Sequence, residues 1–191
     1  MRPIKNLIIA LILLLNFSYA IEESEIESTM TKKMNDVLLI LEKKDLSLDE
    51  KNKKIITIMD EVFDYEIMAK IALGSNIKKI TSRSQFDDFR DAFENILKKS
   101  YNDKLHLYND QKVKILGLAP YKKSRLQLQT KLIGQDEEYE ISYNFYKNKD
   151  NQWFIYDVEL IGVSILKTYV QQFNSMLSEK TIDEVIKELK K

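Results

Sequence analysis

Trp153-Phe154-Ile155-Tyr156-Asp157-Val158-Glu159-Leu160-Ile161-Gly162-Val163-Ser164 is the stretch on which the fold turns, and Ile165-Leu166-Lys167-Thr168-Tyr169-Val170-Gln171-Gln172-Phe173 follows it directly. Residues 153–160 are apolar at both odd and even positions. A strand shows its side chains alternately to two faces, so this one needs cover on both. Gly162 breaks the run, and Ser164 is a natural helix N-cap. Ile165, Leu166, Tyr169, Phe173, Met176 and Leu177 then keep a helical spacing. The expectation is a strand that turns into a helix at 162–164. Packed protein, or something the protein holds, must cover it.

Upstream the pattern changes to period two. Val113 and Ile115 begin it. Leu126, Leu128, Thr130 and Leu132 alternate with Arg125, Gln127, Gln129 and Lys131. Tyr139, Ile141, Tyr143 and Phe145 alternate with Glu138, Glu140, Ser142 and Asn144. Turn residues separate these runs at 134–136 and 148–151. This predicts a four-stranded antiparallel sheet with one polar face, ending in the strand at 153–160.

Ahead of the sheet the spacing is helical. Met30, Met34, Val37, Leu38 and Leu41 mark one helix. Ile55, Ile56, Ile58, Met59, Val62 and Phe63 mark a second. Asp64 can cap a third, with Ile67, Met68 and Ile71 inward and a stop at Gly74. Residues 75–81 read as a connection. Ser82-Arg83-Ser84-Gln85 has the form of a capping box and opens a long helix to about His106. Along it Gln85, Phe89, Phe93, Leu97, Tyr101 and Leu105 recur every four residues. Each such step drifts by roughly 40° on a helix of 3.6 residues per turn. The helix must therefore bend, or its two ends must face different neighbours. Behind the tail helix a short last one begins at Thr181, with Ile182, Val185, Ile186 and Leu189 inward. Helices before and after an antiparallel meander give an α+β fold.

At the N-terminus Arg2 and Lys5 precede the apolar run Leu7–Leu15, and Ser18-Tyr19-Ala20 supplies a small-x-small cleavage site. This is the form of a secretory signal peptide, and the run is too short for a spanning helix of ~20 residues. The expected organisation is a cleaved segment at residues 1–20 and one domain over 21–191, exported and soluble. Removing residues 1–20 takes away two of the 30 basic side chains and none of the 30 acidic ones, leaving a net charge of about −2. No basic stripe marks a nucleic-acid partner. The chain has no Cys, so packing rather than disulfides must hold it.

Chemical candidates are few. His106 is the only histidine, and with no Cys and no second His a zinc site is not expected. Gly162-Val163-Ser164 resembles a nucleophile elbow, but Leu166 stands where its second Gly belongs. Asp157 sits in mid-strand, where an acid needs a partner. One reading makes it a general base inside a cone-shaped sheet, acting with a Tyr on a small apolar substrate. The other pairs it with a Lys or Arg, or with backbone amides of the following turn. A third possibility for the chain is an adaptor or chaperone with a filled core.

Two segments carry a family likeness. Phe63-Asp64-Tyr65-Glu66-Ile67-Met68-Ala69-Lys70-Ile71-Ala72-Leu73-Gly74 has the form F-D-x-x-x-M-A-x-x-x-L-G. The four-residue series from Gln85 to Tyr101 follows, then 153–164, then Tyr169 and Phe173. In this order, behind a signal segment, the chain resembles the MlaC family of periplasmic phospholipid-binding proteins. There are departures. Asn76, Ile77 and Lys78 stand where an aromatic is usual, Ile161 where an acid is usual, and Thr168 and Val170 where Asn and Arg are common. The resemblance implies a curved sheet wrapped by helices around an apolar cavity, an NTF2-like shape, with no enzymatic activity. It implies no cofactor, but bound phospholipid as cargo. The implied partners are an inner-membrane ABC transporter with an MCE-domain protein and an outer-membrane lipoprotein complex, met by a monomeric carrier. The expected lipid-facing residues are Phe89, Phe93, Leu97, Val113, Ile115, Leu126, Leu128, Tyr139, Ile141, Tyr143, Tyr156, Val158, Val163 and Leu166.

Overall fold

Strands β1 (Lys112–Pro120), β2 (Arg125–Ile133), β3 (Glu138–Lys147) and β4 (Trp153–Leu160) form the antiparallel meander that the alternation predicts. The computed structural model describes residues 21–105, 108, 110–122, 124–135 and 137–191, without the side chains of 101–105. The expected signal segment at 1–20 and His106 lie outside the described residues. The sheet has five strands rather than the four expected, because β5 (Val163–Ser164) adds to the free edge of β4. Leu160 pairs with Val163 and Glu159 with Ser164. Ile161 and Gly162 are the whole loop, with positive φ of 51° and 75°. That is the backbone a two-residue hairpin needs. Two residues of strand are too few to show a period in the sequence.

Around the sheet lie α1 (Ile26–Glu42), α2 (Leu48–Asp60), α3 (Tyr65–Leu73), α4 (Arg83–Leu105), α5 (Ile165–Glu179) and α6 (Ile182–Leu189). The stretch expected as a plain connection holds a 3-10 helix at Gly74–Lys79. The fold is α+β, an antiparallel sheet with flanking helices.

Val62 and Phe63, expected on the second helix, lie beyond its end at Asp60. Phe63 instead bridges Ile155 in parallel sense. The Ile155 N–H donates to the Val62 carbonyl at 2.8 Å, and the Asp64 N–H donates to the Ile155 carbonyl at 3.0 Å. The edge of β4 carries unpaired backbone groups, and satisfying them outweighs another turn of helix. Asp64 then caps α3, its carboxylate accepting the Ile67 N–H at 2.9 Å. The same carboxylate accepts the Tyr146 hydroxyl from β3. Burial, reinforced by this bond to Asp64, holds the Tyr146 phenol well above its ordinary pKa. The Phe63-Asp64 pair is thus a joint between helix and sheet.

On α4 the Ser82 hydroxyl accepts the Gln85 N–H at 3.1 Å, but the Gln85 side chain accepts from Thr81 at 2.9 Å. The expected capping box therefore closes one residue early. Phe89, Phe93 and Leu97 point into the core, joined by Phe86 and Ala92. The start of α4 is tied to α6 by Lys190–Asp88 and Gln85–Asp183, at 2.8 and 2.7 Å. Further along, Lys98 reaches Asp60 at the end of α2, at 2.7 Å. The two ends of α4 face different neighbours, as the drifting stripe requires.

Candidate functional site

Register assigns each strand residue to a face. Leu128 of β2 lies opposite Tyr143 of β3, and Tyr143 lies opposite Val158 of β4. Thr130 faces Ile141 and Ile141 faces Leu160, while on the far side Ile115 of β1 faces Thr130. These residues form one continuous inner face, apolar except for a few hydroxyls. The Thr130 hydroxyl is used internally, donating to the Ile141 carbonyl at 2.9 Å.

Burial along this face is graded. Leu128, Phe145 and Ile155 are fully buried. Ile115, Ile141 and Tyr143 are only half-buried, and so is Val113. At the far rim Tyr139 is 37% exposed, Leu160 43% and Val163 62%. The inner face is sealed at one end and open at the other.

Against the sealed part stand α4 and α5. Phe89 meets Phe173 edge-on at 5.2 Å, and Phe93 meets Phe173 at 5.6 Å and Tyr169 at 5.0 Å in the same manner. Phe89, Phe93, Leu97, Leu126, Leu128, Val158 and Leu166 share one hydrophobic cluster, with Ile115, Ile141 and Tyr143 packed against it. The residues expected to face lipid therefore divide: these and half-buried Val113 lie along the inner face or its helical cover, and Tyr139 and Val163 stand at the rim. Tyr156 is buried in the same cluster, but its ring is turned differently. A bulge sets Asn144 opposite Asp157 and Phe145 opposite Ile155, so Tyr156 is the extra residue. Its ring lies 4.4 Å from the Arg125 guanidinium and edge-on to Tyr146 at 6.2 Å. Arg125 alternates with inward Leu126, which puts this group on the opposite face. Phe173 and Tyr169 belong to this cover as well, and their spacing from Leu166 sets them on the same helical stripe.

Asp157 resolves in favour of backbone amides and the corner. It is 6% exposed. Its carboxylate accepts the Ser164 hydroxyl at 2.6 Å and the Leu166 N–H at 3.1 Å. Burial pushes its pKa up, against the pull of these two donors. Ser164 in turn accepts the Lys167 N–H at 3.0 Å, the N-cap of α5. Each Asp157 oxygen is engaged, and the Ser164 proton is committed to it. The pair fastens β4 to α5 and leaves neither a free base nor an activated nucleophile.

A concavity lies apart from the sheet. Asp36, Leu39, Ile40, Glu42 and Lys43 of α1 and its end, with Ile58 of α2, border an open groove of about 640 Å³. The unbroken apolar run Val37–Leu41 was the sequence signal for it, since a helix apolar on all sides cannot bury every residue.

The comparisons bear on the whole arrangement. No curated protein matches this sequence. A solved structure similar to it is the phospholipid-binding protein from Ralstonia solanacearum in complex with a phospholipid. The match has a TM-score of 0.73 at 22% identity and covers 85% of this chain and 93% of that one. At this identity the likeness is one of fold. The model of the MlaC protein family matches residues 31–191, which takes in most of α1, the other helices and every strand. With the sequence motif, the sheet and the helical cover in the same order, the chain belongs to the MlaC family.

Proposed function

We propose that this protein is a periplasmic phospholipid carrier, not an enzyme, and that it moves lipid between inner- and outer-membrane complexes. The acyl chains lie against the half-buried part of the inner face, beside the aromatic cover of α4 and α5. The observation that carries this reading is the graded burial of one apolar face, from fully buried Phe145 to 43% exposed Leu160. A protein with nothing to hold gains by covering that face to its end. Family membership and the phospholipid held by the Ralstonia protein support the same cargo. Residues 1–20 serve as a cleaved signal segment, and 21–191 form one lipid-binding domain.

The energetics set the mode of transfer. Each buried methylene contributes ~0.8 kcal/mol, so two chains of some 30 carbons amount to roughly 20 kcal/mol. Escape into water is negligible at that scale. Lipid must pass from one apolar channel to another, which calls for docking on an ABC transporter with an MCE-domain protein and on an outer-membrane lipoprotein complex. Any energy input comes from the partner.

The test is lipid extraction and mass spectrometry of protein purified from its native compartment. Phospholipid is expected with the wild type and is expected to fall to background in Val158→Asp or Ile141→Asp, which place a charge on the apolar face. A folded double variant that keeps its full lipid content overturns this assignment.

A further inference from the structure

Tyr143 lies at the middle of the inner face, between Leu128 and Val158 across the register and between Ile141 and Phe145 along its own face. All four neighbours are apolar. Its hydroxyl has no hydrogen-bond partner among the described residues. The hydroxyls beside it are accounted for: Thr130 donates to Ile141, and Tyr139 stands 37% exposed at the rim, where water reaches it. Burial alone pushes the Tyr143 phenol up to about 12. At neutral pH it is therefore a protonated donor in an apolar wall. It is not walled in either. Tyr143 is only half-buried, so part of its side chain borders the open part of the face. A Phe would pack this position without the cost of an unmade hydrogen bond. The donor calls for an acceptor that the described residues do not supply.

The surroundings define that acceptor. The inner-face residues of the described strands include no Lys or Arg, so an anionic phosphate or carboxylate here would be buried without a counter-charge. A neutral carbonyl oxygen fits. Its depth fits as well. Tyr143 is one inward-facing step, about 7 Å of strand, below Ile141, whose partner Leu160 is at the exposed rim. A ligand with a charged group at the rim and tails against the half-buried part of the face has its linkage region near this level.

We infer that Tyr143 donates a hydrogen bond to an ester carbonyl of bound diacyl glycerophospholipid, fixing how deeply the lipid sits. This rests on the carrier reading above and adds a chemical preference to it: ester-linked over ether-linked chains. The experiment offers the full chain vesicles containing equal amounts of dipalmitoyl phosphatidylglycerol and its di-O-hexadecyl ether analogue. Protein-bound lipid is then counted by mass spectrometry. The wild type is expected to favour the diester by roughly threefold to tenfold, the range of one neutral hydrogen bond. Tyr143→Phe is expected to abolish the preference by losing diester while its diether loading stays level. The delipidated variant is expected to melt no lower than the wild type, since the removed oxygen has no partner among the described residues. A wild type that takes both lipids without preference, or a variant that keeps the preference, overturns the role of Tyr143 and leaves the carrier reading standing. A wild type that takes neither lipid overturns both.

Discussion

Phe145 and Tyr139 share one strand and one face, yet the first is fully buried and the second is 37% exposed. The same contrast runs across β4, from Ile155 at 0% to Leu160 at 43%. A sheet that served only as core would be covered evenly. Here the stability is concentrated at the end where Phe89, Phe93 and Phe173 interlock, and this lets the other end keep apolar surface open. Truncating each end measures the division. Phe145→Ala is expected to cost about 3–5 kcal/mol, the range for removing a buried aromatic. Leu160→Ala is expected to stay within about 0.5 kcal/mol, as for a surface position. Urea unfolding of delipidated protein gives both values. Comparable losses at the two sites would mean that the rim is core after all.

The corner between β4 and α5 connects the two ends. Asp157 receives the Ser164 hydroxyl and the Leu166 amide there, largely buried. Asp157→Ala leaves both donors unmet and is expected to cost about 2 kcal/mol, since hydrogen bonds to a charged acceptor are worth roughly 1.5–3 kcal/mol. Asp157→Asn keeps one acceptor oxygen and sheds the burial penalty of the charge, so it should lose less. The two urea midpoints test this. If Asn were as damaging as Ala, the carboxylate charge itself would matter, and the corner would not be a simple fastening.

Much of this organisation is legible in the sequence, because it rests on local rules. Asp64, Ser164 and Thr181 cap the helices they precede, as their residue types require. The alternation at 126–132 and 139–145 gives the paired strands directly. What was hidden depends on pairing partners distant in sequence. Val62 and Phe63 have helical spacing but are drawn to the edge of β4. Tyr156 looks inward by simple alternation, and only the slip between Asn144 and Phe145 turns it toward Arg125. Of the candidate site, the inner strand residues and the aromatic stripe could be read from period and spacing. The gradient of burial along them could not, since it depends on where the helices stop covering the sheet.

The hidden fifth strand leads to the smallest effect. Ile161 and Gly162 both have positive φ, as a type I′ turn requires, and the usual sequence for that turn is Asn-Gly. The Ile masked the hairpin signal. It is also an uncomfortable choice: a β-branched residue in the left-handed region is strained by roughly 1–2 kcal/mol. Little packing offsets this, because Ile161 is 62% exposed, although its N–H does donate to the Glu140 carbonyl at 2.9 Å. Ile161→Asn keeps that backbone bond and suits the turn, so the urea midpoint should rise by the equivalent of about 1 kcal/mol. A fall in stability would mean that the side chain packs against the rim more than its exposure indicates. With the rise confirmed, lipid uptake from vesicles decides why a strained apolar residue stands at the open end. Slower uptake in the more stable variant is the expected result, because Ile161 sits beside exposed Leu160 and Val163 at the rim where lipid would enter. Unchanged uptake would confine the function to the inner face and leave the tip as ordinary loop.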